Sequence, residues 1–180
     1  MRDINGLLQA SQEYLSARAK LLSSLQLDDK QFDNEKVDPL TLVSEILVAM
    51  LFRGNLAIRR DQKGFDVETP EGQRIQVKYV LNKDEQHFLK RGEGWALYSV
   101  VLFRDGQVHM VVAFPNKDLT EVYQAFTHHN NSCPDPSGGF NLTKTRFTQM
   151  SKEKERFGQL GLQIWSNEDL HSWRSSLLLL

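Results

Sequence analysis

Gly64-Phe65-Asp66-Val67-Glu68-Thr69-Pro70-Glu71-Gly72-Gln73-Arg74-Ile75-Gln76-Val77-Lys78-Tyr79 reads as a β-hairpin. Pro70, Glu71 and Gly72 supply the turn, and on either side apolar and polar residues alternate as they do along a strand. Pairing that is symmetric about Glu71 puts Val67 opposite Ile75 and Phe65 opposite Val77. It also puts Glu68 opposite Arg74 and Asp66 opposite Gln76, with Lys78 further along the same face. Directly opposed residues have Cβ atoms about 5 Å apart. A carboxylate, an amide oxygen and an ammonium then converge on one patch with an apolar backing, an arrangement suited to a hard cation and a phosphate. An ordinary half-exposed hairpin shows the same alternation, so the neighbouring elements decide between the two.

Upstream, Asp38 is a good N-cap, Pro39 suits the first helical position, and Gly54 follows the last turn after Arg53. The helix between them is apolar almost all round and carries a single charge, Glu45. Such a helix is buried on most sides. An unpaired carboxylate there is costly, so Glu45 is either at a rim facing water or held by a cation.

Asp66, then Gln76-x-Lys78 on the adjacent strand, after a helix bearing Glu45, resembles the PD-(D/E)xK nuclease superfamily in its variant with Gln in the acidic position. The resemblance covers roughly residues 38–114. It implies an α/β, restriction-endonuclease-like core, with a mixed central β-sheet flanked by helices. An extra N-terminal helix and a C-terminal strand-helix extension are added to it here. It further implies a Mg²⁺-dependent DNA endonuclease, with Mn²⁺ able to substitute, of restriction or defence type. On that resemblance Asp66, Gln76, Lys78 and Glu45 form the catalytic set. Asp66 and Glu45 hold the metal, and Gln76 adds a neutral amide oxygen. Lys78 stabilises transition-state charge or orients the attacking water. A catalytically inactive module of the same fold, binding nucleic acid or a protein partner, is the alternative; it has no need for these four side chains to converge.

The 180 residues suit one domain, divided into an N-terminal helix (1–30), the core (38–126) and a loop with a C-terminal extension (127–180). Net charge is −1, so a nucleic-acid surface has to be local. Two basic clusters are candidates for DNA contact. Arg59, Arg60 and Lys63 lie near the hairpin; Lys144, Arg146, Lys152 and Lys154 stand in a segment interleaved with hydroxyls and the amide of Gln149. The second cluster is equally readable as a solvated helix face of alternating charge.

Residues 4–26 carry an apolar stripe at helical spacing, and Leu177–Leu180 form an apolar tail. Either end suits cover by a second subunit, and a homodimer is expected. The polar stretch 28–37 reads as a linker, and 82–93 as a short helix or a lid-like loop. Trp95–Phe103 reads as a central strand, turning at Asp105-Gly106 into a partner over 108–114. Asn116 is expected to cap a helix, residues 127–141 to form a loop, and 160–165 to form a short strand before a last helix capped at Ser166 or Asn167.

His128-His129 and Cys133 form a competing metal constellation, for which no fourth ligand can be named; His87, His109 and His171 are isolated. One cysteine excludes an internal disulfide framework and suits a reducing compartment. With no signal peptide and no membrane-length apolar run, a cytoplasmic protein with no membrane partner is expected.

Overall fold

A helix that is apolar on nearly every side needs cover, and in the computed structural model α1 (Pro39–Leu51) finds it against a sheet. The structure describes residues 17, 20, 39–57, 64–81, 86–89, 92–104, 107–127 and 139–177. The chain divides into two compact units, Met1–Asp38 and Pro39–Leu180. In the first unit Ala17 and Lys20 are helical and exposed. The remainder of the expected helix over 4–26, the linker over 28–37 and the last three leucines lie outside the described residues.

In the second unit, β1 (Asn55–Leu56), β2 (Val67–Glu68), β3 (Arg74–Leu81) and β4 (Gln86–Leu89) follow α1. Then come β5 (Leu97–Arg104), β6 (Gln107–Pro115), α2 (Thr120–Ala125) and β7 (Phe140–Thr143). The chain ends with α3 (Lys144–Lys152), α4 (Lys154–Gln159), β8 (Gln163–Ser166) and α5 (Asn167–Leu177). Among the described residues the main sheet has six strands in the order β1-β2-β3-β5-β6-β8. It is mixed: β3 and β5 run parallel, and the other neighbours are antiparallel. The architecture is α/β, with helices on both faces. What was expected as a C-terminal extension is an integral part of it, because β8 completes the sheet beside β6.

Two apolar cores divide along the strand alternation. On one face Val67, Ile75, Val77, Leu97, Val101 and Val111 meet Leu47 and Val48 of α1 and Leu170 of α5. On the other, Val80, Tyr98, Val100, Val112 and Phe114 meet α2, α3, α4 and the β4–β7 pair. β5 is buried at every position but its last, as its nearly unbroken apolar sequence requires.

The end of α1 differs from the sequence expectation. Arg53, not Gly54, takes the left-handed conformation, at φ 51°. Its N–H reaches Met50 O and the Gly54 N–H reaches Ala49 O, the two bonds of a Schellman motif. Gly54 is needed for space instead, since a Cβ there would come within 2.6 Å of the Glu68 carbonyl oxygen.

Residues 86–89 are neither helix nor lid. They form β4, which pairs antiparallel with β7 in a separate two-stranded sheet, and β7 takes the end of what reads as loop in the sequence. Short runs such as Gln86–Leu89 carry too little local preference to declare themselves, and the distant pairing decides their state. Asn116 likewise does not cap α2: its side chain donates to Gly92 O and Trp95 O, both at 2.9 Å, and so ties down the approach to β5. Asp118 instead receives the Thr120 N–H at the start of α2. Ser166 does cap α5, in a reciprocal arrangement with Asp169.

Candidate functional site

The hairpin turns through Thr69-Pro70-Glu71-Gly72. The Gly72 N–H bonds to Thr69 O, and Gly72 stands at φ 79°, which leaves Thr69 and Gln73 paired across a three-residue loop. The register is the expected one, with Val67 opposite Ile75 and Glu68 opposite Arg74. Arg74 and Glu68 come within 3.9 Å as an exposed ion pair of small energetic weight.

Before Val67 the ladder departs from simple symmetry. The Asp66 N–H bonds to Ile75 O, one position out of step with the Val67–Ile75 pair, as in a bulged strand. Phe65 therefore does not continue the apolar row opposite Val77; it lies beneath the Arg74 guanidinium, 4.7 Å from the ring centroid. The Val77 N–H goes instead to Asp66 Oδ2, at 2.6 Å. Gln76 Nε2 donates to the same oxygen. A side chain thus takes the place of a strand carbonyl, and the carboxylate is fixed at the edge of β3.

β3 alternates along its length: Ile75 and Val77 are buried, while Arg74 and Lys78 are exposed and Gln76 is half-buried. The sheet register puts Gln76 beside Tyr98 and Lys78 beside Val100. From the two-stranded sheet above, His87 brings Nε2 to within 2.8 Å of the Tyr98 hydroxyl and stacks on its ring, with centroids 5.8 Å apart.

The electrostatics tie these groups together. Burial, and then the Asp66 carboxylate, push the Tyr98 phenol up to about 12. Burial, and then the Lys78 charge, hold His87 below its ordinary 6.5. Asp66, Gln76, Lys78, Tyr98 and His87 therefore form one polar constellation at the open flank of β3. Tyr98 and His87 were not legible as part of it: the tyrosine stands inside an apolar strand, and the histidine is isolated in sequence.

Glu45 is half-buried on α1, and the apolar side of that helix packs on the sheet face opposite the one to which Gln76 and Lys78 belong. Arg59, Arg60 and Lys63, and His128, His129 and Cys133, lie outside the described residues. The basic segment over 144–156 is two helices. Lys144 and Lys152 are exposed. Arg146 donates to Asn141 O and its guanidinium lies over Tyr123, Phe126 and Phe140, at 4.9, 5.3 and 5.5 Å. Lys154 pairs with Asp169 at 2.7 Å. Burial raises the Asp169 carboxyl, but the hydrogen bonds from Lys154 and Ser166 and the Lys154 charge outweigh it and hold the group below its ordinary value. The Gln149 amide is buried and fully engaged, accepting from Thr127 N and Oγ1 and donating to Ala125 O and Glu153 Oε1. It is therefore an internal strut, not a phosphate donor.

Mg²⁺ takes oxygen donors, keeps several waters and is commonly bound by one or two carboxylates together with substrate phosphates. Asp66 supplies one carboxylate at the patch. Gln76 presents Nε2 to Asp66, which leaves Oε1 as its oxygen donor. That donor set fits a cation completed by a phosphate ligand. Among the described residues no group of three or more His, Cys, Asp or Glu side chains is placed to hold a metal by itself. No helix among the described residues is long and apolar enough to cross a membrane. No protein-family model matches the chain, and no curated protein matches it either.

Proposed function

We propose that the chain is a metal-dependent endodeoxyribonuclease with a restriction-endonuclease-like core, hydrolysing phosphodiester bonds with Mg²⁺ or Mn²⁺. The observation that carries the reading is the joining of Asp66 and Gln76 at the edge of β3, with exposed Lys78 on the Gln76 face of the same strand. A helix and three strands follow one another, and after β4 of the second sheet comes a further strand, β5, parallel to the third; β4 stands where the superfamily pattern has a helix. Asp66 would hold the cation, with the oxygen of Gln76 as a further donor; Glu45, whose helix packs on the opposite face of the sheet, lies outside this set. The ion would supply Lewis acidity at the scissile phosphate. Val77 N–H and Gln76 Nε2 hold the Asp66 carboxylate in one orientation. Lys78, open to solvent, places a positive charge where negative charge develops on the phosphoryl oxygens. A homodimer would bring two such sites to the two strands of a duplex.

A second reading, a catalytically inactive module of this fold, is favoured by one observation: Gln76 turns its amide nitrogen, not its oxygen, to Asp66. Cleavage of mixed-sequence plasmid DNA with Mg²⁺ or Mn²⁺ separates the two. Metal-dependent cutting by the wild type, lost in both Asp66→Asn and Lys78→Ala, is the expected result. Cutting that survives in both variants places the active site elsewhere, and binding with no cutting under any metal supports the inactive module.

A further inference from the structure

His87 arrives at the site from outside the main sheet. β4 carries it, β7 holds β4, and the strand partner of His87 there is the uncharged Leu142. Among the described residues the one ionisable side chain to which it is hydrogen-bonded is Tyr98, on β5; the charge of Lys78, on β3, acts on the ring. Asp66, just before β2, acts on Tyr98 in turn.

Tyr98 is buried as a residue, and among the described residues its hydroxyl has His87 Nε2 as its hydrogen-bond partner. A buried phenol with a single partner donates to it, because an orphaned O–H costs about 1–3 kcal/mol. Nε2 is then an acceptor, and the neutral imidazole carries its one proton on Nδ1. Nδ1 has no hydrogen-bond partner among the described residues, and the ring is half-exposed. The site thus offers a ring N–H on a half-exposed histidine over Tyr98 and, on the same sheet face, the exposed ammonium of Lys78, which is the chemistry that grips a phosphate oxygen.

We infer that His87, donating through Nδ1, and Lys78 form a two-point clamp on the non-bridging oxygens of a nucleic-acid phosphate, with Tyr98 as the positioning residue that fixes the His87 tautomer. The inference rests on the phosphodiester reading of the site and deepens it, since it names two groups that meet the phosphate irrespective of metal. Lys78 acts as a point charge. His87 adds direction, because a ring N–H fixed by its opposite nitrogen can satisfy only an oxygen that lies in its plane.

Nitrogen-15 NMR of wild-type protein near pH 7.5 reads the tautomer without any variant. The Nδ1–H form of His87 is expected, becoming a mixture in Tyr98→Phe; an Nε2–H form in the wild type overturns the inference. Binding of a mixed-sequence DNA duplex in EDTA supplies the second readout. His87→Ala weakens it about tenfold. His87→Asn, whose amide N–H can stand near the Nδ1 position, recovers most of the loss. Unchanged binding in His87→Ala, or no duplex binding by the wild type, overturns the clamp. The two readings fail separately. Metal-dependent cleavage with full binding by His87→Ala removes the clamp and leaves the nuclease. Binding that depends on His87 and Lys78, with no cleavage under any metal, removes the nuclease and leaves the clamp.

Discussion

Asp66 Oδ2 stands 2.6 Å from the backbone nitrogen of Val77 and accepts its proton, so the side chain proposed for chemistry is also part of the hairpin. Val77 is almost wholly buried, and water has little access to satisfy that N–H in its place.

Asp66→Ala therefore lowers stability as well as activity, by about 1–3 kcal/mol for the N–H left unpaired. Asp66→Asn keeps an acceptor oxygen and loses distinctly less. Urea midpoints of the two variants check this; equal stability of Asp66→Ala and wild type would show that the Val77 bond carries no weight.

His87 gives the fold a dependence on pH. Its folded pKa is depressed below 6.5, so the unfolded chain takes up the proton first. The stability contributed by the neutral ring is complete above 6.5 and drains away as pH falls through the lower, folded value. Denaturation midpoints measured from about pH 8 down to about pH 5 should fall more steeply for wild type than for His87→Asn. Parallel curves count against the burial of this ring.

The end of α1 makes two neighbouring glycine changes opposite in sign. Arg53→Gly removes the strain of a side chain at φ 51° and stabilises the protein by up to about 1 kcal/mol. Gly54→Ala drives a methyl group against the Glu68 carbonyl and costs about 1–3 kcal/mol. Thermal melts of the pair decide it, and a stabilising Gly54→Ala contradicts the close approach.

Gln149 holds α3 to the chain around Ala125 and Thr127 through three hydrogen bonds, and a fourth goes to Glu153. Gln149→Ala strands Thr127 N–H and Ala125 C=O and costs about 2 kcal/mol or more. Weaker duplex binding at unchanged melting temperature would return this amide to the list of phosphate contacts.

Local pattern made part of this fold legible. Alternation and a proline-glycine turn give the β2–β3 register, and an unbroken apolar run gives β5 as a buried strand. Both signals lie within a dozen or so residues of their cause. Others are not local. The bulge at Asp66 arises where the strand breaks step, and an alternating pattern cannot announce that; hence Phe65 was expected opposite Val77 and is found under Arg74. Asn116 looks like a helix cap because its neighbours do, but the carbonyls of Gly92 and Trp95 claim its amide. Arg146 and Lys154 read as candidates for DNA contact because sequence does not show the rings and the carboxylate that occupy them. His87 and Tyr98 meet only through a strand pair whose halves lie far apart in the chain.

That last pairing sets an order of assembly. The hairpin bearing Asp66, Gln76 and Lys78 can close as soon as its own residues exist, whereas β4 has no partner until Phe140–Thr143 has been made. Closing so long a loop is slow relative to closing a hairpin, so the constellation forms in two stages with the histidine last. In a chain emerging from the ribosome the residues that fix the carboxylate are made well before those that hold its histidine neighbour in place. On the proposed function, an immature copy could hold a cation before it could grip a phosphate, and the ability to act on DNA would arrive only with the second half of the protein.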